Sequence, residues 1–246
     1  MERPRRTRTD GSHALQQERA HATRRALLLA AGQRFAEQGY HGTSLKDLLE
    51  EGTASKGALY FHFSSKEALA AALVSAMTES WDQVLPAVRD RAGDALEALV
   101  LLTDVVIVRL EDPVVAGAAR ILRDHVLSAP TLADVSGRWR AQNEELLREA
   151  ADAGLLRPNA DPAWVARDVV AAFAGRAVVR DASTPGETLW DQMNDFWAGA
   201  LPIVACDEWN DGWAARPWRQ RCRPTGVGPG EAETIDVPAI PHATGA

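Results

Sequence analysis

Between Thr43 and Lys66 the chain reads TSLKDLLEEGTASKGALYFHFSSK, and helix starts and stops crowd these 24 positions so closely that little else fits. Thr43 or Ser44 caps a short helix with Leu45, Leu48 and Leu49 turned inward. Ser55 caps another, about two turns long, from Lys56 to His62. Ser64-Ser65-Lys66-Glu67 is a capping box that opens a third. The middle helix begins with a cap, a cation and a glycine, so exposed N–H groups meet no obstructing side chain where an anionic backbone approaches. Leu59 and Phe63, four apart, anchor it, which leaves Tyr60 and His62 facing outward. Lys66 adds a cation at the positive end of the next helix. Thr43, Ser44, Ser55, Lys56, Gly57, Tyr60, His62 and Lys66 are therefore the candidate DNA contacts. On spacing alone, a helical hairpin with no nucleic-acid role has the same pattern.

The rest of the chain is helical in period and poor in strand signals, so the class is all-α. A first helix is expected from about Glu18 to Gln38, stopped by Gly39. The helix opened by the capping box runs through Leu69, Leu73 and Met77, and Pro86 kinks or ends it. Asp94 to Leu110 is apolar enough for the core. Asp112-Pro113 starts a helix ending near Pro130, and Thr131 to Ala153 makes another, stopped by Gly154. Asp161-Pro162 starts one that runs through Arg180, and Thr184-Pro185 one to about Val204. Beyond Asp207, Pro, Gly and Trp follow without periodicity, which predicts a disordered tail.

These elements divide into a basic flexible arm (1–17), a helix-turn-helix head (18–66), a helical body (67–206) and a Trp/Pro/Gly-rich tail (207–246). Residues 1–70 carry eleven Lys and Arg against eight Asp and Glu, while the whole chain is at −7. A cationic head on an acidic body fits a partner with phosphates at one end only. Two cysteines, Cys206 and Cys222, make no disulfide framework. The histidines have no metal-ligand spacing, and GxSxG, GxxxxGK[ST] and GxGxxG are all missing. The expectation is no metal, no cofactor and no enzyme. No apolar run approaches the ~20 residues of a membrane helix and no secretory h-region follows the start, so the expected compartment is the cytoplasm.

The run Lys56 to Phe63 followed by Ser65-Lys66-Glu67 closely resembles the DNA-binding head of TetR-family repressors over roughly residues 20–80. One departure is visible: the turn glycine falls one place early, at Gly52, and Thr53-Ala54-Ser55 follow. Asp112-Pro113-Val114 with Gly117 and Arg120-Ile121-Leu122, then Gly137-Arg138-Trp139-Arg140 and Gly199-Ala200-Leu201-Pro202-Ile203-Val204, resemble the γ-butyrolactone-receptor branch of actinobacteria. The resemblance implies a TetR-like fold: a three-helix head and a C-terminal domain for ligand binding and dimerisation.

It also implies partners. Trp139 is placed as a pocket wall, suited to a small lactone or furan, with Trp81, Thr78 and Arg120 as further ligand candidates. Trp164, Val169, Val170, Phe173, Phe196 and Trp197 become candidates for a homodimer interface, a four-helix bundle about a two-fold axis. Such a dimer would read a pseudo-palindromic double-stranded operator with half-sites about 34–36 Å apart or a multiple. The implied function is a repressor released by a small apolar signal and controlling secondary metabolism. Two alternatives stay open: a pseudo-receptor for an antibiotic or biosynthetic intermediate, and an all-α enzyme or binding module without DNA. Receptors of the branch tend to be acidic, and the pI near 5.4 leans towards the first reading.

Overall fold

A computed structural model describes residues 10–50, 54–183 and 187–214. Helices account for most of them, and an isolated bridge between Leu156 and Ala205 is the one extended pairing among the described residues. The chain forms two compact units. The first runs to Glu79 and takes in Asp112–Leu127; the second holds Ser80–Glu111 and resumes at Ser128.

In the first unit, α1 (Asp10–Gly42) contains a break at Gly39, where φ is +74°. It begins eight residues before the expected Glu18, because extending a formed helix through Ala14-Leu15-Gln16-Gln17 needs no new nucleation. α2 (Leu45–Glu50) and α3 (Lys56–His62) follow, then α4 (Lys66–Trp81). The division between units falls inside α4, after Glu79, rather than at residue 66. Its first turn is tied to α1 by Tyr40, whose hydroxyl donates to Glu67 Oε1 at 2.7 Å.

α7 (Pro113–Arg123) also belongs to this unit. Asp112 caps it, accepting from Val114 and Val115. It ends at Asp124, earlier than the expected Pro130, because His125 adopts φ 52° and Pro130 enters the first turn of the following helix instead. α7 crosses α1 glycine on glycine. A Cβ on Gly117 would lie 2.6 Å from Gly32 Cα, and one on Gly32 would lie 2.4 Å from the Pro113 carbonyl oxygen. Asp124 then ties the α7 end to the Gly39 break by accepting from the Tyr40 N–H at 3.1 Å.

The second unit is built around α6 (Ala95–Arg109), buried along almost its whole length. Burying each of its Leu and Val side chains contributes ~1.5–3 kcal/mol, and Val84, Val88, Leu146, Leu147 and Val169 complete that core. α5 (Val84–Arg89) carries Pro86 in its first turn. A helical Pro86 would clash with the carbonyl four residues before it, at Asp82, so α4 stops at Trp81. α8 (Ala129–Asp152) ends before Gly154, φ +72°. Then come α9 (Pro162–Ser183) and α10 (Leu189–Val204). The cap of α10 is Thr188, in a reciprocal capping box with Asp191, not Thr184, which lies outside the described residues.

The expected disordered tail starts instead as α11 (Asp207–Ala214). Trp209 and Trp213, one turn apart, stack at 4.9 Å and are buried against the core. Aperiodic composition concealed this because two indoles suffice to hold a two-turn helix when a core accepts them. Trp209 Nε1 donates to Asp94 Oδ2 at 2.8 Å, while Asp94 Oδ1 caps α6 by accepting from Glu97. Trp209→Phe keeps the stack and loses that bond, and should lower stability by about 1 kcal/mol in urea unfolding. A variant as stable as the parent would show that the bond contributes nothing. Tail residues beyond Ala214, Cys222 included, lie outside the described residues.

Candidate nucleic-acid interface and ligand site

Ser55 begins α3 in extended backbone and accepts from the Ala58 N–H, leaving the first N–H groups of the helix unbonded within it. Leu59 and Phe63 are buried, which fixes the rotation of α3. Lys56, Gly57 and Tyr60 are exposed as expected. A Cβ on Gly57 would meet nothing closer than Ser55 Oγ at 3.9 Å. The packing of the protein itself does not require a glycine there. The backbone around Gly52 and Thr53 lies outside the described residues.

His62 is half-buried, with its ring centroid 5.1 Å from that of Phe61 in an edge-to-face arrangement. Burial, then the neighbouring charges of Arg24 and His21, holds its pKa below the usual histidine range, so at neutral pH it offers a hydrogen bond rather than a charge. Lys66 stands 4.1 Å over the Tyr40 ring. Burial there draws the Lys66 pKa down, against the opposing pull of Glu67 and Asp47. Tyr40 itself is pushed up to about 12 by burial, its bond to Glu67 and that group's charge.

One residue differs from expectation. Thr43 is 2% exposed, and its hydroxyl is directed at the carbonyls of Gly39 and Arg34. It closes the α1–α2 corner and does not face a nucleic acid. Ser44 remains exposed but forms a reciprocal cap with Asp47: its N–H donates at 2.8 Å, and its Oγ accepts at 3.2 Å. Phe61 was missed. It is 79% exposed on α3, one turn from Gly57, so Lys56 and Tyr60 form a polar row beside an apolar one. Its signal was available: with Leu59 and Phe63 inward, position 61 had to point out.

In the second unit Trp139 is buried, its ring 5.6 Å from that of half-buried Trp81 and 6.2 Å from that of Phe173. The sequence placed Trp81 and Trp139 together, but assigned Phe173 to a dimer face. Arg120 and Thr78 belong to the first unit. The Arg120 Nε donates to both oxygens of Asp124, at 2.9 and 3.1 Å, and its guanidinium lies against Gly39. Thr78 directs its hydroxyl to the Val74 and Ser75 carbonyls of its own helix. Both are local structural contacts.

Of the expected dimer residues, Val169 and Trp197 are fully buried in their own protomer and Val170 packs on the same core. Helical rotation accounts for this: with Val165, Ala166 and Val169 inward, the outward stripe of α9 is Trp164, Arg167, Asp168, Ala171, Gly175 and Val178. Trp164 and Phe196 line an open groove of roughly 390 Å³ with Gly199 and Ile203 of α10. Trp164, Val178 and Ile203 are 49%, 58% and 66% exposed.

The pattern for bacterial regulatory proteins of the tetR family matches residues 27–73. Full-length native TylP, a TetR regulator from Streptomyces fradiae, is 30% identical with a TM-score of 0.61, covering 77% of this chain and 90% of that one. The chain belongs to the TetR family. This regulator is also similar to a crystallised gamma-butyrolactone receptor, an ArpA like protein, at 26% identity and TM-score 0.67, over 77% of this chain and 92% of that one. The A-factor receptor protein of Streptomyces griseus is 29% identical over 191 residues, 77% of this chain. The match spans 66% of that protein's length, and 30–37% of other curated helix-turn-helix regulators. It is thus a TetR-family transcriptional regulator related to the A-factor and gamma-butyrolactone receptors. Among the described residues no helix is long and apolar enough to cross a membrane, and no group of His, Cys, Asp and Glu could hold a metal.

Proposed function

We propose that this regulator is a repressor whose homodimer reads a pseudo-palindromic operator through α3 and is released by a γ-butyrolactone- or furan-type signal, so controlling secondary metabolism. The observation that carries it is the orientation of α3, with Leu59 and Phe63 buried while Lys56, Gly57, Tyr60 and Phe61 face out. Lys56 supplies a phosphate charge, Gly57 lets the backbone approach, and Phe61 offers an apolar face to a thymine methyl. Support for the dimer comes from α9 and α10. Gly175 and Gly199 leave space at an apolar surface, since a Cβ at either would meet nothing within 4 Å, and close helix approach uses such residues. The ligand reading is supported by the three aromatic faces of Trp81, Trp139 and Phe173 and by the similarity to a gamma-butyrolactone receptor.

The chain passes between the two units at Glu79, Glu111 and Leu127. α4 contains the first passage and α7 lies between the other two, so ligand occupancy can bias the head through both. Release requires that the ligand bind one state better; coupling of ~1–3 kcal/mol changes DNA affinity roughly 5–150-fold.

Gel-shift titration on the DNA upstream of the regulator's own gene tests the α3 assignment. Lys56→Ala should weaken binding and reduce the salt slope by about one. Tyr60→Phe, which removes a single hydroxyl, should weaken it a few-fold, on the order of 1 kcal/mol. Undiminished binding by both variants would remove α3 from the interface.

A further inference from the structure

Asn143 lies one turn after Trp139 on the same face of α8 and is fully buried. Its Nδ2 donates to the Trp139 carbonyl at 2.7 Å, which fixes the amide orientation, since an oxygen there would face an oxygen. Its Oδ1 is buried and meets no hydrogen-bond donor among the described residues. The neighbours Trp139, Leu146, Leu147 and Ala150 belong to an apolar cluster, where an unsatisfied carbonyl oxygen is unfavourable and a leucine of similar size would not be. Across the Trp139 ring, Trp81 Nε1 is likewise buried without an acceptor. Asn143, one turn after Trp139, thus has an unused acceptor, and Trp81, 5.6 Å from the Trp139 ring, has an unused donor.

We infer that Asn143 Oδ1 reads a hydroxyl donor on the signal molecule while Trp81 Nε1 donates to a carbonyl, so that the ligand class is an apolar frame carrying both a carbonyl and a free hydroxyl. This rests on the proposal that the Trp81–Trp139–Phe173 cluster is the ligand site, and adds the polar code that selects among lactones. Asn143 is a specificity residue: apolar enclosure supplies affinity and the amide supplies discrimination, because a site built around a hydrogen bond rejects analogues that cannot make it. No backbone group is orphaned by its removal, since the Trp139 carbonyl already serves the α8 ladder.

The test is calorimetry on the full chain with two probes, a γ-butyrolactone bearing a hydroxyalkyl side chain and its O-methyl ether. The parent should bind the hydroxyl compound about tenfold or more tighter than the ether. Asn143→Leu should bind both alike, at the level of the ether, and melt no lower than the parent without ligand. Trp81→Phe, which keeps the ring and loses the N–H, should weaken both probes together. Equal discrimination by Asn143→Leu and parent would overturn the inference, as would a clear loss of ligand-free stability with discrimination unchanged. A parent that binds both probes without discriminating removes the inference alone. A parent that binds neither removes the lactone reading of the site, and the inference with it.

Discussion

Gly117→Ala should destabilise the first unit by about 3 kcal/mol or more, the upper end for overpacking. The new Cβ would stand 2.6 Å from both Gly32 Cα and the Gly32 carbonyl oxygen. These are backbone atoms of α1, so no side chain can swing aside and the two helices must part. DNA binding should fall with stability, because α1 also supports α3. Gly137→Ala is the matched control: its Cβ meets nothing within 4 Å. It should stabilise by roughly 0.5–1 kcal/mol, as replacing a mid-helix glycine does. Thermal melting of the pair reads the contrast directly. If both alanines behave alike, the glycine-on-glycine crossing of α1 and α7 does not carry the packing assigned to it.

Trp139→Ala should act on the other unit with two separable effects. Removing a buried indole costs about 3–5 kcal/mol, which for a chain of this size lowers the melting temperature by on the order of 10 °C. The second effect is functional: at temperatures where the variant remains folded, it should bind DNA yet no longer be released by a lactone that releases the parent. Trp139→Phe retains a ring against Trp81 and Phe173 and should keep part of the response. Unchanged release from Trp139→Ala would place the ligand elsewhere.

Much of the head was legible because its signals are local. Ser55, Gly39 and the Ser65 cap act within a few residues, and the four-residue spacing of Leu59 and Phe63 fixed which side of α3 turns inward. The same logic should have exposed Phe61, which periodicity left outside with no polar atom to justify it. Thr43 was misassigned because a cap residue looks alike whether its hydroxyl faces solvent or two carbonyls of the preceding helix. The body was harder. Whether Val169, Phe173 and Trp197 serve a core or an interface depends on helix rotation, set by partners distant in sequence, as with Phe173 and Trp139. Arg120 was read as a ligand contact although its four-residue spacing to Asp124 already offered a local ion pair. Nor does α11 announce itself, since its stability comes from burial and not from propensity.

Ligand-controlled DNA binding is the core of the account, and fluorescence anisotropy reads it in one titration. The full chain is added to labelled DNA from upstream of its own gene, with and without a saturating γ-butyrolactone whose binding calorimetry has established. The account predicts tight, salt-dependent binding without the lactone and an affinity roughly 5–150-fold weaker with it. Equal DNA affinity with and without the bound lactone would contradict it.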